Sequence, residues 1–127
     1  MAEKQAIRTE SAPAPFQGAP YNQAIAVGDL VFVAGQISTD ASGAIVADDF
    51  ESQCRRTIDR LEGVLALAGC TLADCINVTN YLVRPEDFAA FNRIYQERFA
   101  TPFPARATVI AGLLGEGVLI EMTAVAH

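Results

Sequence analysis

The stretch AIAVGDLVFVAG, residues 24–35, consists of two apolar runs rich in β-branched residues, separated by the dipeptide Gly28-Asp29. Such runs favour β-strands, and a Gly-Asp pair between them is typical of a tight hairpin. Gly28 can supply the positive φ that the first turn position requires. The sequence therefore predicts a β-hairpin here, preceded by an irregular segment at 11–20 and followed by a turn at 40–43.

Two segments after the hairpin have helical periodicity. Apolar residues recur at three- and four-residue spacing over residues 49–68, with Asp48 or Asp49 as a candidate N-cap and Gly69 as the stop. Pro85 opens a second helix, where its missing N–H does no harm. We expect the apolar stripe of that second helix to lie in the core: Phe88, Phe91, Tyr95 and Phe99.

Three further segments predict strands at residues 75–83, about 106–111 and 117–126, the last two joined through 113–117. The order is strands, helix, strand, helix, strands. Helical crossovers imply parallel strand pairs, and hairpins add antiparallel ones. We therefore expect one domain, residues 1–127, of the α+β class, with a single mixed β-sheet and two helices on one face.

The predicted strands are apolar at odd and even positions alike, as in LVFVA, TVIAGLL and VLIEMTAVA. Such strands require cover on both faces, and two helices can cover only one. The other face is therefore expected to pack against another copy, which predicts a homo-oligomer. Arg106 and Glu121 each stand as a single charge in one of these apolar stretches, and a buried charge needs a partner. A pocket between subunits could enclose both.

Charge and composition exclude several function classes. The net charge of −6 disfavours nucleic acid and anionic membrane surfaces as partners. No run is long enough to cross a bilayer, and the first residues do not read as a secretory signal. Three cysteines suggest reduced thiols and a cytoplasmic location. His127 is the single histidine, so neither a His/Cys metal site nor a Ser-His-Asp triad is expected.

The sequence resembles the RidA (YjgF/YER057c/UK114) family over nearly the whole chain. PAR followed by a strand, and then a strand with the pattern hydrophobic-Ile-Glu, are the most specific features. The matching segments are PYNQAI (20–25), VFVAGQI (31–37), Asp49 with Gln53, LAGCTLADCINVTNYL (67–82), FNRIYQERF (91–99), PARATV (104–109) and VLIEMTAVA (118–126).

The resemblance implies a fold similar to the Bacillus-type chorismate mutase and a homotrimer with three clefts between subunits. It also implies a cofactor-free enzyme that hydrolyses reactive enamines and imines. Its substrates would be small imino or enamino acids such as 2-aminoacrylate, and its products a 2-keto acid and ammonia. No metal takes part in this reaction.

The resemblance also implies roles for individual residues. Arg106 falls on the arginine that binds the substrate carboxylate, and Glu121 on the acidic residue that places the attacking water. Three further positions contribute to substrate binding: Tyr21, Gly35 and Asn92. An arginine offers a rigid fork of donors that matches a carboxylate, and a glutamate enclosed between subunits would have a raised pKa.

The chain departs from the family pattern at several positions. Ala34 and Asn22 replace serines, and Leu114 replaces a common proline. Thr108, two residues after the arginine, stands where many members have cysteine, and we count it among the substrate-binding positions. These differences leave room for a pathway-specific deaminase of a larger enamine, such as an aminomuconate.

Other interpretations remain open from the sequence. Arg106 and Glu121 could form a structural ion pair across the last hairpin, Tyr21 could pack beside Pro20, and Asn92 could face solvent. The same clefts could serve a non-catalytic module that binds a keto acid or another small carboxylate. An endoribonuclease activity has been attached to the family name, but the acidic charge and the lack of histidine argue against it.

Overall fold

The computed structural model describes residues 2–8 and 19–127. Of the irregular segment predicted at 11–20, residues 11–18 lie outside the described residues. The described residues form one mixed sheet of six strands and two α-helices. The strands are β1 (Gln5–Ile7), β2 (Ala24–Val27), β3 (Leu30–Ile37), β4 (Cys75–Leu82), β5 (Ala105–Ile110) and β6 (Ile120–Ala126). The helices are α1 (Phe50–Leu67) and α2 (Phe88–Arg98). A short 3₁₀ turn, Leu72–Asp74, follows α1, and another, Pro85–Asp87, precedes α2. The predicted α+β class is confirmed.

The hairpin of residues 24–35 forms as predicted. β2 and β3 pair antiparallel up to Val27 and Leu30, and Gly28 has a φ of +56°. A left-handed backbone at this position is strained for any residue with a Cβ, so the glycine allows the tight turn. The three-residue strand β1 pairs with β2, and the sequence pattern did not predict it.

The first helix also follows its sequence signals. The Asp49 carboxylate accepts a hydrogen bond from the Ser52 amide at 3.1 Å, and Gly69 has a φ of +75° just beyond the helix. The aspartate satisfies one of the free N–H groups of the first turn, and the glycine accepts the left-handed conformation that ends many helices. Asp49 rather than Asp48 is therefore the N-cap.

The predicted core stripe of α2 is correct at three of its four positions. Phe91, Tyr95 and Phe99 are buried, whereas Phe88 is 44 % exposed. The prediction for Phe88 is therefore wrong. This residue is the first of the helix, and Pro85, Glu86 and Ala89 beside it are also exposed.

The strands do not lie across the sheet in the order in which they follow one another along the chain. The order across the sheet is β1-β2-β3-β6-β4-β5. The last strand, β6, inserts between β3 and β4 and runs antiparallel to both. Of the two expected parallel pairs, only β4–β5 is present in the described residues. β5 and β6 are not neighbours, so the expectation that the last two strands form a hairpin is wrong.

The two faces of the sheet differ in cover. Helix α1 packs against β3 and β6, and this helix-covered face holds fully buried residues such as Val78, Met122 and Ile120. Side chains alternate between faces along a strand. The opposite face, here the open face, carries apolar groups that no helix covers: Ile25, Phe32, Val109 and Val125. Phe32 and Val109 are each 44 % exposed, which matches the pattern that predicted a second copy.

Candidate functional site

Arg106 lies on the edge strand β5, in register with Val78 of the helix-covered face. Its guanidinium donates a hydrogen bond to Oδ1 of Asn92, which projects from α2. The guanidinium carbon lies 4.7 Å from the ring centroid of Tyr95 and 5.5 Å from that of Phe91. Asn92 therefore does not simply face solvent. The helix and the strand together fix the direction of the arginine.

The charge of Arg106 has no acidic partner among the described residues. Five of the seven other arginines in the described residues are paired with carboxylates, whereas Arg8 and Arg60 are not. The five are Arg55, Arg56, Arg84, Arg93 and Arg98. Arg106 is exposed, and the one side-chain hydrogen bond that it makes uses a single N–H. A guanidinium has five N–H donors in a planar fork. The remaining donors can therefore receive an anionic ligand.

Glu121 lies on the open face, at the register position shared by Ile37 of β3 and Tyr81 of β4. Its side chain passes directly over Gly35: a Cβ at Gly35 would lie 2.5 Å from Oε2 and 2.9 Å from Cδ of Glu121. Burial raises the pKa of the Glu121 carboxyl above its usual range. Gly35 is thus part of the site because it has no side chain.

Arg106 and Glu121 lie on opposite faces of the sheet. Arg106 shares its register row with Val78, a buried residue under the helices. Glu121 shares its row with Tyr81, three residues further along the same strand β4, and residues an odd number apart face opposite ways. The strand β4 also separates β5 from β6. The alternative in which these two residues form an ion pair across a terminal hairpin is therefore wrong within a single chain.

The segment before β2 borders the glutamate side of the sheet. The Gln23 carbonyl accepts a hydrogen bond from the Ala34 amide at 2.8 Å, which holds this segment next to Gly35. Tyr21, two residues earlier, is 52 % exposed, so it is not packed away within the chain. The side chain of Asn22 accepts a hydrogen bond from Arg8 at 3.0 Å.

The predicted site residues therefore form two groups. The arginine half-site consists of Arg106 with Asn92, and Thr108 lies two residues along β5 on the same face, opposite Asn80. The glutamate half-site consists of Glu121 and Gly35, with the segment that contains Tyr21 beside them. The structure brings residues together within each half-site but does not join the two halves in one chain.

The rings that support Arg106 were missed by the sequence reasoning. The spacing of Phe91 and Tyr95 placed both in the core, which is correct, but gave no sign that the arginine lies over them. The signal that could have found them is the parallel pairing of β4 with β5, the strand whose Arg106 contacts α2. That pairing joins residues far apart in sequence and is not visible in local periodicity.

Metal and thiol sites find no support in the part of the chain that the structure describes. No cluster of three or more histidine, cysteine or acidic residues there could hold a metal ion. Cys54 and Cys75 are buried, and burial raises the pKa of each thiol to about 12, which opposes nucleophilic use. Cys70 is the more accessible thiol, as predicted. Among the described helices, none has both the length and the apolar character of a transmembrane span.

Comparison with known proteins gives matches over nearly the whole chain. The family model Endoribonuclease L-PSP matches residues 9–127. A RutC family protein of Pyrococcus abyssi is 45 % identical over 98 % of this chain and 97 % of its own length. A 2-iminobutanoate/2-iminopropanoate deaminase of Salmonella typhimurium is 33 % identical, with 94 % of each chain covered.

Solved structures agree with the sequence matches. RidA from an Antarctic Psychrobacter species superposes with a TM-score of 0.90 at 28 % identity, covering 97 % of this chain and 98 % of the other. Chains of this kind have the chorismate-mutase-like fold, so the predicted similarity to that fold is confirmed.

Proposed function

Because this chain belongs to the RidA family, which the Endoribonuclease L-PSP model describes, we propose that it hydrolyses 2-imino acids to 2-keto acids and ammonia. Imine or enamine deamination is the activity that the family and its deaminase-named relatives indicate. The finer assignment, which concerns the substrate and the residues that act on it, is our proposal. Substrates of the 2-aminoacrylate type reach the imine form by tautomerisation.

The observation that carries this proposal is the unpaired guanidinium of Arg106. It is exposed, held in place by Asn92 and two aromatic rings, and has no carboxylate partner among the described residues. Every 2-imino acid carries a carboxylate next to the reacting carbon. A bidentate contact with that carboxylate fixes the carbon in position, and positioning supplies much of the rate for a reaction with water.

Glu121 supplies the proton transfers. Its pKa is raised by burial, so the carboxylate is a stronger base than an exposed glutamate and can hold a proton during the reaction. Water adds to the carbon of the protonated imine, and its proton passes to Glu121. The proton then returns to the nitrogen, and the carbon–nitrogen bond breaks as Glu121 takes the hydroxyl proton and the carbonyl forms. The departing ammonia takes up that proton and leaves as ammonium. All bonds and charges balance without a cofactor or a metal.

The site requires two copies of the chain. The arginine half-site and the glutamate half-site lie on opposite faces of one sheet, so a cleft that contains both must combine one half from each of two subunits. Such a contact joins two different surfaces, and it forms a closed ring where the rotation between subunits closes. We propose the homotrimer implied by the family resemblance, with the open face of the sheet buried in it.

Light scattering at micromolar concentration tests this assembly and should give three times the chain mass of 13.5 kDa. Phe32→Glu places a charge on the open face, where the ring is 44 % exposed in one chain. It should dissociate the trimer while leaving the fold of the chain intact. A stable monomeric wild type, or a trimer unaffected by this charge, would refute the assembly.

The charge and the histidine and cysteine content of the chain also bear on nucleic acid as a partner and on the cellular location. The net charge of −6 and the single histidine at position 127 argue against ribonuclease activity, despite the name of the family model. The three cysteines form no disulfide in the described structure, which fits a compartment that keeps thiols reduced, so we propose a cytoplasmic location.

Ammonia release from imines generated in situ by an amino-acid oxidase tests the activity. Arg106→Ala should lower kcat/KM by about tenfold to a hundredfold, because it removes a charge-assisted bidentate contact. Arg93→Ala is the matched control, since it removes an arginine that is paired with Glu51 and Glu97. Equal activity of a well-folded Arg106→Ala trimer and the wild type would refute the clamp.

The competing function is a non-catalytic module that binds keto acids in the same clefts. It predicts that calorimetry detects binding of 2-oxobutanoate while no imine is hydrolysed faster than in buffer. Arg106→Ala would then abolish binding without any turnover to lose. A panel of imino acids of increasing size separates this function from a pathway-specific deaminase.

A further inference from the structure

The guanidinium of Arg106 rests on an aromatic surface that α2 presents to β5. Its central carbon lies 4.7 Å from the Tyr95 ring centroid, 5.5 Å from that of Phe91 and 5.9 Å from that of Phe88. All three distances are within the roughly 6 Å at which a cation interacts with the face of an aromatic ring. The nearest of the three rings, Tyr95, is also among the most buried.

Tyr95 is an unusual choice for this buried position. Its hydroxyl is buried and has no hydrogen-bond partner in the described structure. Such a group costs stability, and a phenylalanine would avoid that cost. The Phe99 ring stacks on the Tyr95 ring, with centroids 4.2 Å apart. The Phe91 ring also contacts Tyr95, so the three rings form a continuous row. The neighbouring rings therefore hold the Tyr95 ring in the core, and Arg106 lies over it.

We propose that Tyr95 is the positioning residue of Arg106: its ring holds the guanidinium flat, so that the fork of donors is aimed at the substrate carboxylate. This inference rests on the proposed function, since it assigns a task to the arginine clamp. Asn92 accepts a hydrogen bond from one N–H of the guanidinium, and the Tyr95 ring lies 4.7 Å from its central carbon. In this proposal the ring sets the plane in which the other donors lie. Two constraints of different kind are needed because a single hydrogen bond leaves the plane free to rotate.

The ring, and not the hydroxyl, carries this role. The hydroxyl makes no hydrogen bond, and it remains protonated because burial raises the pKa of Tyr95 to about 12. Tyr95→Phe should therefore preserve the position of Arg106, while Tyr95→Leu should release it. A purely structural role for Tyr95 would also tolerate phenylalanine, so the two roles are told apart by KM: a structural role predicts that Tyr95→Leu lowers the melting temperature and leaves KM unchanged.

The experiment measures binding of 2-oxobutanoate by calorimetry and steady-state kinetics on an imino acid, with trimers verified by light scattering. Tyr95→Leu should weaken ligand binding and raise KM by about tenfold, with kcat changed less, because the clamp holds the carboxylate before and during the reaction. Tyr95→Phe should restore both constants to within about twofold of the wild type.

Phe50→Leu is the matched control. Phe50 is a buried aromatic residue at the start of α1, and it has no ring contact with Arg106 in the described structure. The change removes an aromatic ring from the core at similar cost in packing, so it should lower the melting temperature without raising KM. If Tyr95→Leu does not assemble, Tyr95→Met takes its place, since the flexible methionine fills more of the space and also lacks an aromatic face.

The outcomes separate this inference from the function on which it rests. If Arg106→Ala binds 2-oxobutanoate as well as the wild type, the clamp itself is wrong. If Arg106→Ala loses binding while Tyr95→Leu keeps it, the clamp stands and the positioning role of Tyr95 is overturned. A rise in KM for Phe50→Leu equal to that for Tyr95→Leu also overturns it, because general loosening of the core would then explain both.

Discussion

Replacing Gly35 with alanine tests the glutamate half-site without touching its carboxylate. The new Cβ would lie 2.5 Å from Oε2 and 2.9 Å from Cδ of Glu121. Ordinary contact between such atoms begins near 3.5 Å, so the carboxylate must move by about 1 Å. The backbone of Gly35 is not in the left-handed region, so alanine adds no strain of its own there.

The expected result is a loss of activity without a loss of stability. The displaced atoms are the end of a flexible side chain, and Gly→Ala restricts the unfolded chain, which stabilises by about 0.4–1 kcal/mol where the native backbone permits it. A displacement of 1 Å at a group that transfers protons can cost about a hundredfold in rate. We therefore expect kcat to fall by about that factor while the melting temperature stays within a few degrees of the wild type.

The assay is ammonia release together with thermal melting of the same preparation. Gly112→Ala is the control, because a Cβ at Gly112 meets nothing within 4 Å. A second test places Gly35→Ala in a Glu121→Gln background, where it should cause little further loss because both changes act on one group. Normal turnover by a folded Gly35→Ala trimer would refute the reasoning, and a large fall in melting temperature would show that the backbone yields instead.

Three further outcomes are expected. Burial raises the pKa of Glu121 above 4.5, so the contribution of this residue to the free energy of unfolding is present below pH 4.5 and is lost as the pH rises through the raised pKa. Glu121→Gln should therefore reduce the pH dependence of the free energy of unfolding, measured with urea, between these two pH values. The same pH dependence in the wild type and in Glu121→Gln would contradict this expectation. A thiol reagent should label Cys70 quickly and Cys54 and Cys75 only after unfolding, since those two are 0 % and 5 % exposed; rapid labelling that persists in Cys70→Ser would count against this. Chelators should leave deamination unchanged, whereas activity that a chelator abolishes and one added metal restores would be incompatible with the proposed reaction.

The sequence by itself determined most elements of this fold and their types, with the short strand β1 as the exception. The hairpin around Gly28, the first helix from its Asp49 cap to Gly69, and the start of the second helix near Pro85 all formed as predicted. Each depends on local chemistry: a turn that needs a positive φ, a free N–H that needs an acceptor, or an apolar face with a helical period. Such signals lie within a few residues of the structure that they specify.

The candidate residues could also be named from the sequence, because single charges in apolar strands stand out there. Their arrangement could not. The alternative in which Arg106 and Glu121 form an ion pair across a terminal hairpin is wrong, because β6 inserts between β3 and β4, and β4 then lies between β6 and β5. Strand order depends on pairings between distant segments, and strands that are apolar at every position do not show which neighbour or which face they will take.

The tertiary structure alone decided what surrounds the two charges. It placed Tyr95 beneath the guanidinium of Arg106 and the carboxylate of Glu121 over Gly35, and left Phe88 exposed. These contacts join β5 to α2 and β6 to β3, elements whose approach depends on packing the whole sheet against its helices. The physical reason is that the spacing of apolar residues along the sequence indicates the strand or helix that they form. The environment of each side chain is set by surfaces that meet only after the chain has folded.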